Sequence, residues 1–171
     1  MIQRPLPGEY NAYFQRYIDT LPDASLPDLM DADTSMAIEF FSHISPEKQD
    51  YCYESDKWSI KQILMHIIDV ERVMAYRALV AARGDTTTLL YSMDDHAYLA
   101  NANVEGRLYA DMIDEFKAVR GATTSLFASM TDAQSERMAN TNNGIVSTRA
   151  LAYIILGHVR HHIGIIRERY V

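Results

Sequence analysis

Two histidines near the C-terminus have a spacing that suits metal binding. His158 and His162 stand four residues apart, so in a helix their imidazoles project from the same face, one turn apart. Two imidazoles placed in this way can reach one ion, as they do in H-E-x-x-H zinc sites. The same face carries apolar residues one turn to either side, namely Leu151, Ile154, Ile155 and Ile165. We therefore expect the pair to point into the protein, where an ion would use both nitrogen lone pairs and offset the cost of burying them.

A third histidine, His66, lies in another segment with helical periodicity. It follows Ile63 by three residues and precedes Val70 by four, which places it on the apolar face of that segment. Metal sites in helical bundles are commonly built from side chains on facing helices. Three neutral imidazoles that leave further coordination positions to water match the pattern of catalytic zinc sites. The sequence therefore predicts one divalent-metal site formed by His66, His158 and His162.

The other histidines leave an alternative open. His161 follows His158 by three residues, so these two form a second candidate pair, although His162 continues the apolar face better. His43 and His96 have no comparable setting, and we interpret both as surface or packing residues. A buried histidine can also be hydrogen-bonded in a core without binding metal, so a cluster of packed histidines is the competing interpretation.

Four long segments carry the periodicity of amphipathic helices and must position these side chains. We predict main helices over residues 26–45, 59–83, 108–130 and 147–170. Ser59 with Gln62 forms a capping-box pattern at the start of the second helix, and Ser147 is a candidate N-cap for the fourth. The turn-forming residues Asn142-Asn143-Gly144 precede that last helix.

The remaining segments complete an all-α prediction. Residues 1–24 contain a short amphipathic stretch that we expect to pack across the bundle as an arm or lid. Residues 84–106 form a connection of a length that usually covers a site or crosses a bundle, and residues 94–101 within it are a candidate short helix. No segment alternates with period two for long enough to predict a strand. The expected fold is a four-helix bundle with a long crossover between helices 2 and 3.

Composition restricts the class of protein further. The 171 residues fit a single domain over 1–171. A formal net charge of -7 disfavours binding to nucleic acid or to anionic membranes. A single cysteine, Cys52, excludes an internal disulfide and a thiolate-rich zinc site. The N-terminus lacks the apolar run of a signal peptide, and no stretch approaches the roughly 20 apolar residues of a membrane span, so we expect a cytoplasmic protein.

Two motifs resemble the DinB-like superfamily. Residues 57–72, KWSIKQILMHIIDVER, are similar to its second-helix signature, and residues 157–162, GHVRHH, are similar to its fourth-helix motif. The opening residues 4–10 and the closing residues 167–170 also resemble one branch of it, so the likeness spans essentially the whole chain.

The resemblance implies a four-helix bundle that is often a homodimer. It implies a divalent metal ion, usually zinc or nickel, held by His66, His158 and His162. Some members of the superfamily transfer or use low-molecular-weight thiols such as bacillithiol or mycothiol. The chain departs from the pattern at Ser55-Asp56, where the branch usually has proline-glycine, and at His96, where an acidic or amide residue is common. The first departure affects a turn, and the second lies near the expected mouth of the pocket.

Acidic and polar residues near the motifs are candidates for further roles. Asp69, one turn after His66, could orient a ligand imidazole or act as a base. Asp69 and Glu71 could equally form a solvated face paired with Arg72. Further candidates for substrate contact are Tyr98 and Arg160. The sequence assigns no catalytic acid or base.

These observations lead to three functional hypotheses. A metal ion with open positions lowers the pKa of bound water or of a coordinated thiol, so the first is a metal-dependent thiol transferase or hydrolase with a small-molecule substrate. The second is a non-catalytic metal or small-molecule binding protein of a stress response. The third is a dimeric interaction module whose histidines are merely packed.

Overall fold

Helices form most of the computed structural model, which describes residues 2–142 and 144–171. In chain order the helices are α1 (Gln15–Ile18), α2 (Leu26–Ser42), α3 (Pro46–Gln49), α4 (Ile60–Ala82), α5 (Asp95–Asn101), α6 (Tyr109–Ala128), α7 (Asp132–Ser135) and α8 (Thr148–Arg169). Two strands, β1 (Met138–Thr141) and β2 (Gly144–Ser147), precede α8. Short 3₁₀ turns cover Ala12–Phe14 and Val104–Gly106.

The four long helices, α2, α4, α6 and α8, pack as a bundle. Helix α4 contacts both α6 and α8, and α2 contacts the same two helices. The long connection between α4 and α6 contains α5, so the prediction of a four-helix bundle with a crossover between its second and third helices is confirmed. Both proposed N-caps are also confirmed: Ser59 and Gln62 form a reciprocal capping box, and the Ser147 side chain accepts from the Ala150 N–H.

Helix α2 ends at Ser42, three residues before the end that its periodicity predicted. The cause is Pro46, which begins α3. A proline disfavours helical geometry in the residue before it, and Ser45 is accordingly extended, with φ -67° and ψ 148°.

A β-hairpin is present where the sequence predicted no strand. Strands β1 and β2 pair antiparallel, from Met138 opposite Ser147 to Thr141 opposite Gly144. Four-residue strands are too short to show a clear alternation, although an Asn-Gly pair is a strong hairpin signal. We predicted a turn at Asn142-Asn143-Gly144. Its middle residue, Asn143, lies outside the described residues. The hairpin fixes the start of the crossover, because Leu90 N–H donates to the Asn140 carbonyl at 2.9 Å.

A polar layer divides the apolar core into two clusters. On α8 the change from one cluster to the other falls between Leu156 and Val159. In the same layer the other three long helices place charged residues that are almost fully buried, namely Asp33 on α2, Glu71 on α4 and Arg120 on α6. The Arg120 guanidinium donates two hydrogen bonds to Glu71, at 2.8 and 2.7 Å. Arg160 of α8 donates to Asp33 at 2.5 Å.

These ion pairs correct two expectations. Glu71 belongs to the buried layer and does not share a solvated face with Arg72. Arg72 instead contacts Asp69, at 3.6 Å, and Glu115, at 2.6 Å. Arg160 is held by Asp33 and by the Thr20 carbonyl and does not line the cavity described below. Within the described residues, no helix combines the length and apolarity that crossing a membrane requires.

Candidate metal centre

The three histidines singled out by their spacing lie together between α4 and α8. His66 projects from α4, and His158 and His162 project from adjacent turns of α8. His66 Nε2 lies 3.1 Å from His158 Nε2, and His162 Nε2 lies 3.0 Å from the same atom. Each of the three residues offers one ligand nitrogen within 4.8 Å of the other two. The structure therefore places all three predicted residues where one ion could be shared.

Hydrogen bonding alone does not account for this cluster. The Nε2 atom of His158 carries either one N–H or one lone pair, so it can form one good hydrogen bond but not two to its two imidazole neighbours. A cation would instead accept a lone pair from each ring. Nitrogen ligands at about 2.0–2.1 Å from a zinc ion lie roughly 3.0–3.4 Å from one another, which fits the two short Nε2–Nε2 separations. The donor set and its spacing therefore suit a divalent ion.

Burial keeps these imidazoles neutral. Loss of solvation lowers the pKa of His66, and it lowers the pKa of His162 to about 3 and that of His158 well below its ordinary value. Neighbouring histidines and Arg16 push the pKa values of His158 and His162 in the same direction. A metal ligand must present an unprotonated nitrogen, so the cluster has the required protonation state at neutral pH.

The carboxylate nearest to a candidate ligand comes from the crossover. Asp95, on α5, places Oδ1 4.0 Å from His66 Nδ1, a buried atom that has no hydrogen-bond partner among the described residues. A carboxylate beside the distal nitrogen of a ligating histidine commonly fixes the orientation of its ring. Asp69, which the sequence offered for this role, instead contacts Arg72 and lines a separate surface pocket with Tyr98. Asp95 was not among the residues singled out from the sequence, although residues 94–101 were predicted as a candidate short helix.

The N-terminal arm covers the cluster from one side. The Tyr17 ring, on α1, meets His158 edge-on with centroids 5.4 Å apart and His161 with centroids 5.2 Å apart. His161 thus packs against the arm, beside the group formed by His66, His158 and His162. The arm comes this close because α8 has a glycine at position 157, where a Cβ would overlap the Tyr17 carbonyl oxygen. The glycine of the GHVRHH motif therefore has a packing role.

The two remaining histidines lie outside the cluster. His43 is exposed and its Nδ1 lies 2.7 Å from the Glu39 carbonyl oxygen. His96 is also exposed and meets the Trp58 ring edge-on, with centroids 5.3 Å apart. Trp58 in turn lies against His66, with centroids 4.8 Å apart.

A cavity of about 620 Å³ opens onto the three histidines. The arm, α4, the crossover and α8 supply its walls. Two arginines that were not candidates from the sequence line it: Arg16 on the arm and Arg77 on α4. Arg16 stacks on the rings of Tyr13 and Tyr17, whereas Tyr98 and Arg160 do not line this cavity.

Comparison with known proteins agrees with this architecture. The family model of the DinB superfamily matches residues 29–166. YfiT from Bacillus subtilis, described as a probable metal-dependent hydrolase with an unusual four-helix bundle topology, is similar in structure with a TM-score of 0.70 and 18% identity, over 98% of this chain and 91% of that chain. A mycothiol-dependent maleylpyruvate isomerase is similar with a TM-score of 0.69 and 12% identity, over 86% of this chain.

The second likeness is partial, because the match covers only 61% of the isomerase chain. At these identities both likenesses concern the fold. No curated protein sequence matches the chain. The family match covers most of the chain and includes all three clustered histidines, so the chain belongs to the DinB superfamily.

Proposed function

We propose that this protein is a metal-dependent enzyme that holds a divalent ion, zinc or nickel, through His66, His158 and His162. The observation that carries the proposal is the meeting of three neutral imidazoles at Nε2–Nε2 separations of 3.0 and 3.1 Å. The description of YfiT as a probable metal-dependent hydrolase supports it.

The proposed reaction is transfer of a low-molecular-weight thiol to an electrophile or, as the second class, hydrolysis. When bound, a divalent ion supplies a Lewis acid that lowers the pKa of a coordinated thiol or water. The mycothiol dependence of the similar isomerase supports the thiol class. The chain itself contributes a cavity that admits a small molecule, with Tyr17 and Trp58 in its wall, and a carboxylate at Asp95 that can hold the His66 ring.

The non-catalytic alternative rests on a different observation. Among the described residues that line the cavity, Asp95 is the only carboxylate, and it lies beside a candidate ligand. A site with so few groups for proton transfer could also bind a metal ion and a small molecule without turning it over. Turnover assays therefore have to accompany metal analysis.

Metal content tests the ligand assignment. Protein purified without a nickel column should contain about one divalent ion per chain, and each of His66→Ala, His158→Ala and His162→Ala should lower that content strongly. His161→Ala is the matched control, because His161 adjoins the cluster but packs against Tyr17. Unchanged metal content in the three ligand variants would show that the assignment is wrong.

Activity separates the enzyme from the binding protein. Wild-type protein should consume a thiol in the presence of an electrophile, or hydrolyse an ester or amide, and should lose that turnover on chelation. Addition of zinc or nickel to the chelated protein should then restore the turnover. If metal-replete protein turns over none of these thiols, esters or amides, the result favours the non-catalytic binding protein.

A further inference from the structure

Arg77 is a buried cation that has no carboxylate partner in the part of the chain that the structure describes. It lies on α4, lines the histidine cavity and is only 8% exposed. Its Nη2 donates to the Tyr91 carbonyl at 2.7 Å, and its Nη1 lies 3.5 Å from the Met74 sulfur. Its Nε has no hydrogen-bond partner among the described residues. One full-strength hydrogen bond thus serves a group that has five N–H donors.

The other buried arginines of the described chain have carboxylate partners. Arg120 is paired with Glu71, and Arg149 is paired with Glu9. Half-buried Arg160 is paired with Asp33. No described carboxylate oxygen lies within ion-pair distance of Arg77, and burial alone lowers the pKa of its guanidinium. Since an unpaired buried charge is costly, a cation left in this state beside a cavity points to a partner that the chain does not supply.

The surface between Arg77 and the histidines is apolar. Val70, Val73 and Met74 line the cavity along α4 between His66 and Arg77. Eleven residues of helix correspond to a rise of about 16 Å. The guanidinium contacts the sulfur of Met74, which lies one turn nearer to the histidines on the same helix. The cavity therefore has a histidine end, an apolar middle and a cationic end.

We propose that Arg77 binds a carboxylate of the substrate, which makes the substrate a small carboxylic acid with an apolar stretch between that carboxylate and its reacting group. The planar guanidinium fork matches a carboxylate in shape, and one cation matches one monoanionic group. Arg16 does not compete for this role, because its guanidinium is held by the Tyr13 and Tyr17 hydroxyls on the arm. The inference rests on the proposed function for the reacting end of the substrate, while the carboxylate subsite itself is separate from the histidines.

Trp58 allows the subsite to be tested directly. It is the only tryptophan of the chain and lines the same cavity, so its fluorescence reports occupancy. Hexanoate should change that fluorescence saturably, and hexanamide, which has the same chain without the charge, should bind at least about tenfold more weakly. Arg77→Gln should weaken hexanoate binding by a similar factor and leave hexanamide binding nearly unchanged. Arg83→Gln, at the exposed residue that caps the C-terminus of α4, is the control and should bind like wild type.

The titration is done on metal-loaded and on chelated protein, which separates this inference from the proposed function. Hexanoate binding that persists after chelation and is lost in Arg77→Gln supports the subsite, whatever the metal content. Binding that disappears on chelation but survives in Arg77→Gln would place the carboxylate on the metal and overturn the inference. Tighter binding of hexyl phosphate than of hexanoate would overturn the carboxylate class. If Arg77→Gln does not fold by circular dichroism, the hexanoate and hexanamide comparison on wild-type protein decides: equal affinities reject the proposal.

Discussion

His158 is the central residue of the candidate site, because its Nε2 contacts both other imidazoles. It is as deeply buried as His66, and burial and its neighbours lower its pKa well below the ordinary value. Protonation does not stabilise a side chain in this position, because the added positive charge would lie close to two further imidazole rings and to the Arg16 guanidinium. Coordination of a cation is the arrangement that satisfies all three nitrogens together.

Spacing predicted His158 and His162, because i and i+4 positions share a helix face whatever the rest of the fold, and helical periodicity placed His66 on the apolar face of a second helix. The same reasoning could not find Asp95 or Arg77. Asp95 reaches His66 only through the path of the crossover, and local periodicity does not specify that path. Arg77 lies on the His66 helix, but its lack of a carboxylate partner among the described residues is a property of the packed structure. The sequence left two roles open for Asp69 for the same reason: it is one turn from His66, and only the packed structure shows that it contacts Arg72.

The first prediction concerns the carboxylate beside His66. Replacing Asp95 with asparagine removes the charge that faces Nδ1 and should weaken metal affinity by about 10- to 100-fold, the usual range for groups that orient a ligand. Competition with a chromophoric chelator measures this affinity. Asp94→Asn is a matched control, because Asp94 caps α5 through the Ala97 N–H and asparagine caps equally well. Equal affinities for the two variants would remove Asp95 from the site.

Helices bring these residues together through a few close contacts. The arm reaches the cluster only because α8 presents Gly157 to the backbone of Tyr17. The hairpin and Leu90 determine where the crossover begins, and α5 then places Asp95 over the cavity. Periodicity predicted the four long helices well, since each has an apolar face over four or more turns. It failed for the hairpin, whose pairing depends on contacts between short segments.

The second prediction tests the contact between the arm and α8. Gly157→Ala should force the arm away from α8 and lower the free energy of unfolding by about 1–3 kcal/mol, as overpacking does. The displaced arm should also be cut sooner by protease at low concentration. Gly164→Ala is the control on the same helix, because a Cβ there meets nothing within 4 Å. It should raise the free energy of unfolding by about 0.5–1 kcal/mol through helix propensity. A similar response to both substitutions would contradict the close approach.

At the scale of the whole molecule, the fold and the reaction are separate questions. Four amphipathic helices and a polar layer specify a bundle of the DinB superfamily, but the same bundle can host different chemistries. The net charge of -7 restricts partners without identifying a substrate. The reaction depends on the groups around the cavity: three neutral histidines at one end, one carboxylate beside them and, beyond an apolar stretch, an arginine that has no carboxylate partner among the described residues.

The third prediction concerns the stability of the metal-free protein as a function of pH. The pKa values of His66, His158 and His162 are lowered on folding, so below the ordinary histidine pKa of about 6.5 the unfolded chain binds more protons than the folded one. Stability is therefore complete above that pH and falls on acidification, by up to about 1.4 kcal/mol per pH unit for each fully shifted histidine. Urea unfolding of chelated protein between pH 7 and pH 5 should show this slope. His162→Ala should flatten it, since the pKa of His162 is lowered to about 3, whereas His43→Ala, at an exposed position, should leave it unchanged. A slope that is the same in all three proteins would mean that the cluster is hydrated and not buried.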